Sequence, residues 1–212
     1  DRLWAALPAA GVRLHCPARV ESMEQGDAST DTSGVRLRLD DGTRLEARLA
    51  IAADGADSTL RQLAGLQVSA HDYRQRGVVA FVETEKPHEQ TAWQRFLPSG
   101  PLAFLPFVDG RSSIVWTLPN EEADRVLALQ DDAFGRELTS AFEARLGEAR
   151  AISRRVAFPL PRQLADAYVS GKVLLMGDAA HVVHPLAGQG VNLGLREVAR
   201  LRGAIADAQS GR

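Results

Sequence analysis

Residues 176–197 read MGDAAHVVHPLAGQGVNLGLRE: a Gly-Asp pair, two histidines, a proline and a Gly-Gln-Gly turn ahead of a helical pattern. The preceding KVLLM is a short apolar run that predicts a buried strand, so Gly177 and Asp178 fall at its carboxyl end. In open α/β sheets that edge is where ligands bind. A carboxylate there can accept hydrogen bonds from ribose-type hydroxyls. Ala179 and Ala180 keep the surface low enough for an extended ligand to lie across it. Pro185 stiffens the passage, and Gly188-Gln189-Gly190 lets the backbone turn its amides outward. Those amides, at the positive end of a helix, favour negative charge on a bound ring or phosphate.

A second stretch, AIAADGADSTLRQLAG, has the same design: an apolar run ends at Asp54-Gly55, and Ser58 can cap a short helix carrying Arg61. Gly55 permits a backbone approach that a side chain would block. Helix amides with an arginine beside them can hold an anionic group such as a pyrophosphate. The alternative is an ordinary strand–turn–helix corner with an acidic cap, since Asp-Gly turns are common. His181 and His184 have the i, i+3 spacing of a metal pair, but no third ligand accompanies them at suitable spacing. Histidines hydrogen-bonded to the backbone are the simpler expectation. Trp93, Phe96, Phe104 and Phe107 read first as sheet core and second as the lining of an apolar cavity.

The elements that position these residues fall into two kinds of territory. Leu3, Trp4 and Leu7 have helical spacing, closed by Pro8 and Gly11. A strand region is expected over 12–24, then a polar loop from Gly26 to Gly34 and a β-hairpin over 34–49 turning at Asp40-Asp41-Gly42-Thr43. The run LAIAAD that follows suits a strand buried on both faces, as in a parallel sheet. From about 72 to 160 the pattern changes to short runs rich in β-branched and aromatic residues, with helices near 120–129 and 131–146 and a strand near 150–158. That pattern predicts an antiparallel sheet with helices on one side. After Pro159 and Pro161 the α/β style returns, ending in a helix over 189–207 with Leu193, Val198 and Leu201 on its apolar side.

Bulk properties exclude several classes. The 212 residues carry a net charge of −2, which gives no basic field for nucleic acid. Cys16 is the only cysteine, so no internal disulfide can form and a reducing compartment is expected. No apolar run approaches the roughly 20 residues that span a bilayer. The start DRLWAAL has no methionine and reads like the tail of a helix already under way.

The stretch GDAAHVVHPLAGQGVNLGLRE closely resembles the Gly-Asp motif of FAD-dependent aromatic hydroxylases, the single-component flavoprotein monooxygenases. ADGADSTLR resembles their Asp-Gly motif, and TAWQRFLPSGPLAFLPF resembles the substrate-domain sheet of the ubiquinone-biosynthesis branch. That branch usually has Asp where this chain has Glu197. The resemblance implies an α/β fold: a partial FAD-binding Rossmann-like domain over 1–64 and 162–212, with an inserted antiparallel β-sheet substrate domain over 72–158. Nothing matches the family's opening Gly-x-Gly-x-x-Gly unit or its C-terminal helices, so an internal fragment is expected.

The resemblance further implies that NAD(P)H reduces FAD and that one atom of O2 enters a phenolic ring. Gly177 and Asp178 would meet a ribityl or ribose hydroxyl. Gly188, Gln189, Gly190, Val191 and Asn192 would set amides against the pyrimidine side of the flavin, with Pro185 bordering its face. Asp54, Gly55 and Arg61 would serve the pyrophosphate or nicotinamide entry. No catalytic base and no metal ligand is assigned. The implied substrate is a polyprenylated ubiquinone precursor, met in the cytoplasm or at the inner membrane surface, with a peripheral membrane contact or a biosynthetic complex as partner. The alternatives are a small soluble aromatic substrate, or a non-catalytic fragment that binds no FAD.

Overall fold

The computed structural model describes residues 2–26, 34–183 and 189–211, the side chain of Gln189 excepted. Pro185, Gly188 and His184, and most of the polar stretch between Gly26 and Gly34, lie outside the described residues. In chain order the elements are α1 (Arg2–Ala6), β1 (Val20–Gln25), β2 (Val35–Leu39), β3 (Arg44–Ala47), β4 (Ala50–Ala52) and α2 (Thr59–Leu63). There follow β5 (Val68–Thr84), β6 (Trp93–Leu97), β7 (Gly100–Pro106), β8 (Ser112–Pro119), α3 (Asn120–Ala128) and α4 (Asp131–Ala141). The chain closes with β9 (Ala149–Ala151), β10 (Val156–Ala165), β11 (Val169–Ser170), β12 (Val173–Leu175), β13 (His181–Val182) and α5 (Gln189–Gln209). Two compact units result: one comprises Asp1–Ser69, Leu164–His181 and Glu197–Arg212, the other Ala70–Gln163 and Val182–Arg196.

In the first unit, α1 ends at a short 3-10 turn closed by Gly11 at φ +77°. The hairpin expected over 34–49 is β2 paired with β3, with Val35 opposite Ala47. Its turn is set by Gly42 at φ +84° and by the Thr43 amide, which donates to Asp41 Oδ1 at 2.8 Å. The strand expected over 12–24 begins only at Val20; Pro17 upstream has no amide to give a ladder. The two apolar runs that precede the Gly and Asp turns do pair in parallel, Ala50 with Val173 and Ala52 with Leu175.

One expectation needs correcting. β4 is buried on one face only: Ala50 and Ala52 are buried, whereas Ile51 is 42% exposed. Among the described residues β4 is an edge of its sheet, which runs β11-β12-β4, and its outer face meets no covering layer. The core on the other face gathers Ala52, Leu60, Val173, Leu175, Ala179 and Ala180.

The second unit is an antiparallel sheet in the order β10-β5-β8-β7-β6, with β9 on β5. Side chains alternate across it. Val78, Ala80, Val82, Leu102, Phe104, Ile114 and Trp116 face α3 and α4, meeting Val126, Phe134 and Leu138. The other face carries Phe81 and Leu105, both about two-fifths exposed (37% and 41%). Phe96 is 70% exposed and Phe107 41%, so only Phe104 and the half-buried Trp93 of the four aromatics join this core. α4 stops at Ala141 rather than near 146, because Glu143, Ala144 and Gly147 take positive φ. The strand expected near 150–158 is divided into β9 and β10, and the Phe81 amide donates to Ser153 Oγ at the break.

α5 covers the helix expected over 189–207, but its apolar positions are not covered as expected: Leu193 is 36% and Val198 54% exposed. No helix among the described residues is long and apolar enough to cross a membrane.

Candidate active-site turns

β4 and β12 run parallel as neighbours, so the turns after Ala52 and Leu175 leave the same edge of one sheet. This is the carboxyl edge at which Asp54-Gly55 and Gly177-Asp178 were expected. After β12 the Met176 amide still donates to Ala52 O at 2.9 Å. Gly177 then turns at φ +57°, and a single 3-10 turn over Gly177–Ala179 is closed by the Ala180 amide bonding Gly177 O. Ala179 and Ala180 are buried beneath the turn, while Asp178 is exposed. Its carboxylate has no hydrogen-bond or ion-pair partner among the described residues.

The Asp54 turn is built differently. Asp54 Oδ1 accepts the Ser58 hydroxyl and Oδ2 accepts the Leu60 amide at 3.1 Å. Ser58 Oγ in turn accepts the Arg61 amide at 3.0 Å, the N-cap read from the sequence. The first amides of this five-residue helix are therefore already bonded within the protein. Arg61 turns inward and is 5% exposed; its guanidinium donates to Ala179 O at 2.9 Å and to Ala56 O at 2.7 Å. One buried cation thus ties the Asp54 turn to the Asp178 turn through two main-chain carbonyls. Gly55, at φ +88°, presents open backbone: a Cβ there would meet nothing within 4 Å.

Glu197, to which the sequence assigns no role beyond a departure from the branch's usual Asp, completes the second turn. Glu197, in α5, accepts the Gly177 amide through Oε2 at 2.8 Å and bonds His181 Nε2 through Oε1 at 2.6 Å. His181 was expected to bond the backbone; its partner is instead this carboxylate. The imidazole is 5% exposed, and its Nδ1 is buried with no partner among the described residues. The Tyr168 ring lies 6.0 Å from the imidazole centroid. Burial, and secondarily the Glu197 charge, hold the Tyr168 phenol above its ordinary range. The available signal was the first carboxylate of α5, in its third turn, downstream of a turn rich in glycine.

Gln189, Gly190, Val191 and Asn192 form the first turn of α5 and belong to the other compact unit. Gly190 does not need a left-handed backbone, and a Cβ on it would meet nothing within 4 Å. The helix entry is therefore not what demands glycine there. Among the described residues no three His, Cys, Asp or Glu side chains gather as metal ligands.

The chain thus combines a parallel strand pair, whose Asp54-Gly55 and Gly177-Asp178 turns open at one edge, with a helix-backed antiparallel sheet unit. The chain belongs to the FAD binding domain family, which it matches over residues 2–212. It is 41% identical over 203 residues to the ubiquinone hydroxylase UbiL of Rhodospirillum rubrum, covering 96% of this chain and 46% of that protein. It is 39% identical to the 3-demethoxyubiquinol 3-hydroxylase of Escherichia coli, covering 98% of this chain and 52% of that protein. The chain thus spans about half the length of the curated relatives it matches. PqsL, a probable FAD-dependent monooxygenase from Pseudomonas aeruginosa, superposes with a TM-score of 0.71 at 25% identity, covering 91% of this chain and 54% of that one.

Proposed function

We propose that this chain acts in FAD-dependent hydroxylation of the phenolic ring of a polyprenylated ubiquinone precursor, with NAD(P)H and O2 as co-substrates. The observation that carries the reading is Asp178: an exposed carboxylate without a partner among the described residues, fixed at the carboxyl edge of a parallel strand pair. A carboxylate held there is poised to accept a hydrogen bond from a hydroxyl of a bound ligand. The surrounding surface suits FAD, because Gly55 and Gly177 both turn with positive φ and leave open space where a side chain would stand.

When bound, FAD supplies hydride acceptance from NAD(P)H and oxygen transfer from O2 to the phenolic ring. The protein's part is orientation. Asp178 holds a ribityl or ribose hydroxyl, and Gly177 and Gly55 let the backbone come close. Asp54 and Arg61 keep the two turns in fixed relation. By the sequence motif alone, the amides of Gly188 through Asn192 would favour negative charge at the pyrimidine edge of the flavin and Pro185 would border its face. The apolar sheet face of the second unit, with Phe81 and Leu105, offers contact area for an aromatic and prenylated substrate. The names of the relatives favour that substrate class over a small soluble aromatic. Contact with a membrane surface and a biosynthetic complex belong to the same reading.

The test is FAD affinity of an Asp178→Ala variant of the intact protein. Loss of a charge-assisted hydrogen bond should weaken binding by about 1–3 kcal/mol. An unchanged dissociation constant would remove Asp178 from the site.

A further inference from the structure

Within the first unit, both ends of the 177–181 turn are fastened to the same carboxylate. The Gly177 amide donates to Glu197 Oε2 at 2.8 Å, and His181 Nε2 bonds Oε1 at 2.6 Å. Asp178 lies between these fastenings. A carboxylate is an acceptor only, so Nε2 must carry a proton and donate it. The Ala179 carbonyl, in the same turn, is held by Arg61. Backbone bonds flank these side-chain anchors, the Met176 amide donating to Ala52 O and the Ala165 amide to Ala180 O, whereas the Asp178 side chain is exposed.

We propose that Glu197 and His181 form a clasp that positions Asp178, so that Glu197 governs ligand affinity without touching the ligand. This rests on the reading of Asp178 as a flavin contact. Both oxygens of Glu197 are committed to the protein, which is why its effect must pass through the turn. The longer side chain of Glu, compared with the Asp of the resembled branch, reaches both anchors from one helix position.

The amide Glu197→Gln separates this clasp from simple packing. Gln has one accepting oxygen and one donating nitrogen in place of two acceptors. With its oxygen on the Gly177 amide, its NH2 faces Nε2 and can bond it only if the histidine proton moves to Nδ1. That proton would then sit on a buried nitrogen that has no partner among the described residues. The variant therefore exchanges one satisfied pair for either a broken bond or a buried unpaired donor.

Two measurements on the intact protein decide the matter. Nitrogen-15 resonances of His181, recorded without flavin, should show an Nε2–H imidazole in the parent and a changed proton arrangement in Glu197→Gln. FAD dissociation constants should rise about tenfold in Glu197→Gln, less in Glu197→Asp, and no further when Glu197→Gln is added to Asp178→Ala. That non-additivity is the mark of action through Asp178. An unaltered His181 spectrum, or full additivity in the double variant, overturns the clasp while the effect of Asp178→Ala stands. An Asp178→Ala variant that binds FAD like the parent removes the flavin reading itself, and the positioning role falls with it. Thermal unfolding of each variant separates loss of binding from loss of fold.

Discussion

The two compact units solve the burial problem in opposite ways. The antiparallel unit closes a dense core between its sheet and α3 and α4, with Phe104, Phe134, Leu102, Ile114 and Leu138 at 1% exposure or less. The unit carrying the Gly-Asp turns has a mixed three-stranded sheet, β11 antiparallel and β4 parallel to β12, with Ile51 exposed, and small residues, Ala50, Ala52, Ala179 and Ala180, where the other unit has aromatic ones. Large side chains fill space and fix a scaffold; small ones leave backbone within reach of a ligand. Dense aromatic packing and turns flanked by small residues thus belong to different parts of the chain.

The sharpest way to break that division is Phe134→Ala. Phe134 is fully buried, with the Arg155 guanidinium 4.8 Å from its ring centroid. Its truncation should cost about 3–5 kcal/mol, read by denaturant unfolding. If the loss were much smaller, the antiparallel core would not be the main source of stability.

Arg61→Ala comes next, at about 2–3 kcal/mol, because it removes the guanidinium and strands the two carbonyls it satisfied. Hydrogen exchange should rise at the Gly177–Ala180 amides, and Arg61→Lys should restore only part of the protection, since an ammonium lacks the planar fork. Equal exchange in all three proteins would show that the two turns are not tied through Arg61.

Gly190→Ala sharpens the comparison from the ligand side. Its Cβ would stand in open space, and alanine is the better helix former by about 1 kcal/mol. Thermal stability should stay level or rise slightly, while FAD affinity falls because the added methyl stands where the backbone should be approached. Lost stability with unchanged affinity would make Gly190 a folding residue.

The smallest effect belongs to the surface of the antiparallel unit. Arg125 bridges Glu122 and Glu137. That pairing, through the hydrogen bond to Arg125, holds the Glu137 carboxyl below its ordinary range. A depressed carboxyl contributes stability above its unfolded pKa of about 4.3, and that contribution disappears as pH falls through the lower folded value. Because both side chains are partly exposed, Arg125→Ala should cost under about 1 kcal/mol at neutral pH, and the difference from the parent should vanish in acid.

Local chemistry was legible in the sequence. Ser58 reads as a cap and is one, and the run LAIAAD, read as suited to a parallel sheet, does pair in parallel with the buried strand read in KVLLM. What the sequence could not display depends on direction and on partners far along the chain. Arg61 looks like a surface charge beside a phosphate, yet it points inward to Ala179 O. Phe96 and Phe104 look alike, but pairing places Phe104 opposite Trp93 on the helix-covered face and leaves Phe96 exposed. His181 and Glu197 belong to different elements, and only the path of the chain between them brings the two together. The stretch holding Pro185 and Gly188 lies outside the described residues, so its part in the site stays with the sequence.

The parallel pairing of β4 with β12 also sets an order of events during folding. Ala50 must find Val173 across the entire antiparallel unit, and closing so long a stretch of unfolded chain carries a large entropic penalty. Once β5 and β10 have zipped side by side, that stretch is shortened from both ends and the search becomes local. Chain-closure entropy alone thus predicts that the antiparallel unit forms before the edge bearing Asp54 and Asp178. A nascent chain would complete its scaffold before it could present a ligand-binding surface.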